Sequence, residues 1–293
     1  MSAYGMQKKL QATLNIGAKE YCNFVKRRWF SLMLPFFVCF LIRFCAMFLI
    51  GKDPVHGYDG NFMYILLDFF GIADLFETPM LTGVHWYMCM AQILILIMPL
   101  LSYLCRKFDW LIFPLVFVLL QYVTTGIKSQ WGGIYIDYLP AAVLGVLFAQ
   151  NFMFEKICSK AEGLSVQKRS LCFMGLISLL ILLLFTKYML GVISSEFDSK
   201  KIVTLILGII PIICCIIVVL FCKNEGVLYL LGKYSGLMFL VHTFFTEFFK
   251  GLIYFPKWVI LSWLLLLLLS LMTSVVIVFL IKSGQTVRKL SLI

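Results

Sequence analysis

Apolar runs long enough to cross a bilayer recur along this chain, and they limit its fold more sharply than any other feature. A hydrocarbon core of roughly 30 Å takes about 20 residues of helix. The runs that qualify are approximately 29–51, 84–105, 109–127, 134–154, 170–190, 202–222, 235–255 and 258–281. Lipid offers no partner for a bare backbone N–H or C=O, so spanning segments are helices or the strands of a closed barrel. Unbroken runs, rather than alternating ten-residue strands, select helices. The expected fold is all-α, a polytopic transmembrane helix bundle of about eight spans. Composition agrees, with 62% hydrophobic and 13% charged residues, against roughly 25% charged in a soluble domain.

The net charge of +11 invites a nucleic-acid reading, but the basic residues lie in short clusters beside apolar runs, where topology explains them. Eight spans with the N-terminus inside put Lys8, Lys9, Lys19, Lys26 to Arg28, Arg106, Lys107, Lys156, Lys160, Lys168, Arg169, Lys223, Lys233, Lys282, Arg288 and Lys289 in the cytosol. Lys52, Lys128, Lys200, Lys201, Lys250 and Lys257 then face out. Asn61 to Phe76 is interrupted by Asp68, Gly71 and Asp74 and is short for a span. Counting it as a ninth would level the two sides, so it is expected to be interfacial or re-entrant. The expected organisation is a cytoplasmic basic leader at 1–28, with no signal peptide before Trp29, a transmembrane domain at 29–282 and a cytoplasmic tail at 283–293. The protein is expected in the cell membrane, with both termini cytoplasmic. The ten cysteines fall in apolar runs or at cytosolic ends and read as small apolar residues, without disulfides or metal-binding spacing.

Ionisable groups within a span cost about 2.5–3.5 kcal/mol on insertion scales, so each needs a reason. Arg43, two-thirds along the first span, either faces a polar cavity or snorkels to the outer interface. Asp137 reads as an interfacial carboxylate near the outer end of the fourth span. His242 and Glu247 share the seventh span, but five residues set them well apart around a helix of 3.6 residues per turn. The ordinary state of such a histidine is neutral and hydrogen-bonded to a neighbouring helix. Lys187 is expected to snorkel, and His85 and Trp86 stand at an outer boundary, where Trp commonly anchors.

Three stretches resemble acyltransferase family 3, membrane proteins that move acyl groups, usually acetyl, onto envelope glycans. Phe24 to Phe36 (FVKRRWFSLMLPF) is similar to the basic entry of the family's third helix, with Pro35 expected in the first turns, where a missing N–H costs least. His85-Trp86-Tyr87 through Pro99 is similar to the helix that opens with Trp and reaches Pro thirteen residues later. Many members carry a Glu where Ala91 stands here. Leu231 to His242 (LGKYSGLMFLVH) resembles the motif Leu-Gly-x-x-Ser-x-x-x-Tyr-x-x-His, with Phe239 in the Tyr place.

By this resemblance the chain is expected to be a membrane O-acyltransferase. Acyl-CoA would serve as donor substrate rather than bound cofactor, an extracytoplasmic glycan would accept, and neither metal nor nucleic acid would take part. His242 and Ser235 from the motif, with Arg43 and Trp86, are candidates for the site or its support. Lys26, Arg27 and Arg28 are candidates for the CoA phosphates, although any cytosolic helix flank wants such charge. Family members usually begin with two further helices carrying an Arg and, about ten residues on, a His favoured as catalytic base, and neither precedes Phe24. The alternatives are therefore a catalytically incomplete remnant, or a subunit whose partner supplies those helices. A transporter of lipid-linked sugars ranks below both, because no inverted repeat of broken helices is present.

Overall fold

In a computed structural model the described residues are 2–11, 18–126, 138–193, 206, 209–210, 212–217, 226–255 and 257–290. Among them every regular element is helical: α1 Ser2–Gln11, α2 Ala18–Leu49, α3 Phe62–Phe69, α4 Trp86–Phe108, α5 Ile112–Gly126, α6 Leu139–Gln150, α7 Met153–Glu162, α8 Val166–Ile193, α9 Gly226–Phe248, α10 Lys250–Tyr254 and α11 Val259–Leu290. Short 3-10 turns at His56–Tyr58, Ala73–Phe76, Gly83–His85 and Asp109–Leu111 link some of them.

Four stretches among the described residues have the length and apolarity to cross a membrane: Lys19–Leu49, Gly83–Leu119, Val166–Met189 and Val259–Ile281. The pair α6 and α7, bent by 55°, makes a fifth if it is one broken span. The chain is thus a helical membrane protein, but the described residues hold four or five helices able to cross, and the eight that the apolar runs suggested are not all found among them. The difference has local causes. The runs 84–105 and 109–127 fall in one helical stretch, interrupted at Asp109, whose φ is +47°. Run 134–154 ends in the bend between α6 and α7, where Phe152 also has positive φ. Most of run 202–222 lies outside the described residues, as does Asp137.

The chain forms two compact units, one of 1–22 with 94–223 and another of 23–93 with 224–293. In the first, the segment expected as a polar leader forms α1, which packs on α6. Ala3, Met6 and Leu10 are buried, and Gly145 of α6 brings a would-be Cβ within 3.2 Å of the Tyr4 backbone. Lys8 pairs with Glu155, and Gln150 donates to the Ser102 carbonyl at 2.9 Å. Among the described residues helix α8 buries none of its apolar window, an apolar surface suited to lipid.

The second unit holds the densest aromatic packing. Met33, Phe36, Phe40 and Met88 form its buried centre. Phe37 stacks on Phe69 of α3 at 4.6 Å, so α2 holds the short helix against α4. Helices α9 and α11 pack together around Leu237, Val241 and Ile277. Ser262, Ser270 and Ser274 are buried on α11, small side chains of the kind that let membrane helices approach closely. Helix α2 starts at Ala18, so Pro35 lies in its interior rather than its first turns. An internal Pro removes one backbone bond at about 3 kcal/mol, and Met33 and Phe36 on either side of it are fully buried.

Candidate active site

The segment 52–85, between α2 and α4, folds around one carboxylate. Asn61 caps α3 by accepting from the Met63 N–H at 2.9 Å. Asp68, six residues after Phe62 at the start of α3, is fully buried. Burying a carboxylate is costly unless its lone pairs are satisfied, and here both oxygens are engaged. Oδ2 accepts from the Tyr58 hydroxyl at 2.5 Å and from the Leu81 N–H at 2.6 Å. Oδ1 lies 2.6 Å from His85 Nδ1. Burial, and then the neighbouring Asp68 charge and hydrogen bond, push the Tyr58 phenol well above its ordinary range, so Tyr58 remains a donor.

A second set of bonds fixes the height of α3. Gly71 ends it with φ +67°, a conformation open to Gly at little cost. Gln92 of α4 donates from Nε2 to the Phe70 and Gly71 carbonyls at 2.9 and 3.2 Å. Its Oε1 accepts from Trp29 Nε1 at 2.9 Å. Trp29 on α2 and Gln92 on α4 therefore hold the last turn of α3, and with it Asp68.

His85 closes the 3-10 turn that leads into α4 and is almost fully buried. Its ring meets Phe36 edge-on at 4.9 Å and lies 5.9 Å from Phe40. With Nδ1–H directed at Asp68, the imidazole carries its lone pair on Nε2. A cavity of about 50 Å³ adjoins it, walled by His85, Phe36, Cys39, Arg43, Val241, Phe244 and neighbouring apolar side chains. At roughly 10–15 Å³ of such space per water-sized group, it holds a few heavy atoms, the size of a short acyl group rather than a sugar ring.

Arg43 takes the cavity-facing alternative rather than snorkelling. It is buried, donates to Thr243 Oγ1 at 3.0 Å and pairs with Glu247. Thr243 and Glu247, four residues apart, share one face of α9. The Phe248 ring lies 5.6 Å from the guanidinium. Arg43 Nε is buried without a hydrogen-bond partner, and the side chain forms part of the cavity wall.

The other candidates from the sequence do not converge here. His242 Nδ1 bonds the Phe239 carbonyl of its own helix at 2.6 Å, and Ser235, exposed, donates to the Gly232 carbonyl. Neither lines the cavity, nor does Trp86, although Val241, next to His242, does. Lys26 and Arg27 are exposed near the start of α2, and Arg28 is half-buried. Arg28 precedes Arg43 by fifteen residues, about 22 Å along the helix at 1.5 Å per residue. Among the described residues no cluster of three His, Cys, Asp or Glu could hold a metal ion.

A family model described as an acyltransferase domain, acyltransferase family 3, matches residues 2–282. The chain belongs to that family. Its apolar helices agree with a membrane acyltransferase, and the Asp68–His85 pair beside Arg43 is the polar constellation of this family member's second unit. No curated protein and no solved structure matches the chain.

Sequence reasoning missed Asp68 as a functional residue and the pairing of Arg43 with Glu247. The second had a legible signal, since two opposite charges stood in two apolar runs and each needed a partner. Asp68 had none, because its partner is set by the path of an irregular loop.

Proposed function

We propose that the protein transfers a short acyl group, most simply acetyl, from cytosolic acyl-CoA to a hydroxyl of a glycan at or beyond the outer leaflet. The observation that carries this reading is a small cavity whose wall holds both a carboxylate-paired imidazole and a buried guanidinium in a chain of an acyltransferase family. Acyl transfer needs a group to take a hydroxyl proton and a donor for the carbonyl oxygen where negative charge develops. Lys26 and Arg27, with Arg28, would meet the phosphates of CoA at the cytosolic mouth, and the long pantetheine arm would run along α2 towards Arg43. The basic flanks of the apolar runs support that orientation. The alternative, a catalytically incomplete chain, rests on the absence of the histidine expected before Phe24; His85 beside Arg43 is what favours the enzyme reading over it.

The test is transfer in inverted membrane vesicles given radiolabelled acetyl-CoA. Label in glycan that depends on the chain supports the reading. Vesicles with folded protein that yield no more label than empty ones refute it.

A further inference from the structure

We infer that His85 is the general base of this transfer and that Asp68 is its positioning residue, an assignment that rests on the acyl-transfer reading above. The chain has three histidines. His56 is exposed in the segment 52–85, and His242 spends Nδ1 on its own helix and lies outside the cavity wall. His85 alone combines a carboxylate partner, near-complete burial and a place in that wall.

The Asp68 contact settles which nitrogen can act. Nδ1–H donates to Oδ1, so the basic lone pair is on Nε2, and the ring cannot turn without breaking that bond and its contacts with Phe36 and Phe40. Asp68 is itself held by Tyr58 and the Leu81 N–H on its other oxygen, so it orients and stabilises the imidazolium without leaving its place. The positive charge of Arg43 and the Thr273 side chain, both in the cavity wall, suit the negative charge that develops on the thioester carbonyl oxygen.

The step balances as follows. The acceptor oxygen attacks the thioester carbonyl carbon while its proton passes to Nε2. The tetrahedral intermediate places its negative oxygen towards Arg43. The C–S bond then breaks, the thiolate of CoA leaves and takes the proton from the imidazolium, and the products are the ester and free CoA. His85 ends as it began.

A merely structural His85, locking the segment 52–85 to α4, is the competing account, and the experiment separates the two. Purified full-length protein in lipid vesicles is assayed as wild type, His85→Gln, His85→Gly, Asp68→Asn and the exposed control His56→Ala, each with its melting temperature and KM for acetyl-CoA. The expected result for both His85 variants is a kcat lower by about 10²–10⁴-fold with KM little changed. Added imidazole should restore part of the kcat of His85→Gly. Asp68→Asn should lower kcat without imidazole rescue, and His56→Ala should match wild type. The assignment is overturned if folded His85→Gln keeps kcat within a few-fold of wild type. It is also overturned if both His85 variants lose activity only as their melting temperatures collapse, with no rescue. A wild type that transfers nothing refutes the acyl-transfer reading itself, and the assignment falls with it.

Discussion

Gly71→Ala should destabilise the second unit by more than any left-handed glycine of the same segment, and the structure says by how much. A side chain at φ +67° costs about 1–2 kcal/mol. The new Cβ would also stand 3.1 Å from Gln92 Nε2, 3.1 Å from Met88 Cβ and 3.5 Å from Phe36. Gln92 would then leave the Phe70 and Gly71 carbonyls, each bond contributing about 1 kcal/mol. The total is about 3–4 kcal/mol. Gly60, at φ +70° with nothing within 4 Å of its would-be Cβ, bears the backbone cost alone, so Gly60→Ala should lose about 1–2 kcal/mol. Thermal unfolding in detergent reads the contrast, at roughly 2–4 °C per kcal/mol for chains of this order of size. Because Asp68 lies three residues before Gly71, the Gly71→Ala protein should also lose transfer activity, and the Gly60→Ala protein should not. Equal losses at the two positions would refute the reasoning that Trp29, Gln92 and Gly71 together set the position of Asp68.

Three further outcomes are expected. The raised pKa of Tyr58 means that its stabilising contribution is complete below the ordinary phenol value of 10.0 and is lost as pH climbs above it; Tyr58→Phe should therefore flatten the alkaline decline of the melting temperature. Glu247→Gln should cost about 1–2 kcal/mol, less than the 3–5 of breaking a fully buried pair, because Glu247 is half-exposed and Thr243 still accepts from Arg43. A double-mutant cycle with Arg43→Met should then show favourable coupling. Replacing Lys26 and Arg27 by Ala should raise KM for acyl-CoA by about 2- to 30-fold with kcat unchanged, since exposed charge contacts contribute about 0.2–1 kcal/mol each, and the effect should shrink in high salt.

The long helices were legible because length and apolarity alone decide them: α2, α4, α8 and α11 each cover an expected run. The brief α3 also follows from its sequence, as Asn61 caps it and Gly71 ends it within the segment read as too short to cross. What failed was local. The first long helix was expected to begin near Trp29, yet Ala18 to Arg28 is helical and continues into it. The reason is that Lys and Arg are good helix formers and nothing from Ala18 onward stops the helix.

The site was less legible than the fold. Arg43 was marked by its cost in lipid, but its partner lies 204 residues away. His85 looked like an interfacial neighbour of Trp86, because the residue that gives it chemistry, Asp68, is seventeen positions back across two turns of irregular backbone. Pairings made through a loop leave no periodic trace. The family motif drew attention to His242 and Ser235 instead, and the structure engages both within their own helix.

The central claim, that the acyl end of acyl-CoA enters the cavity between Arg43 and His85, can be tested with a thiol already in its wall. Cys39 lies one turn before Arg43 on α2 and lines the cavity, whereas Cys22, Cys45, Cys172 and Cys214 are exposed elsewhere. Bromoacetyl-CoA, from whose CH₂ carbon a thiol displaces bromide, should alkylate Cys39, and excess acetyl-CoA should protect it, as read by peptide mass mapping. Alkylation confined to the exposed cysteines, or labelling of Cys39 that acetyl-CoA does not suppress, would contradict the account.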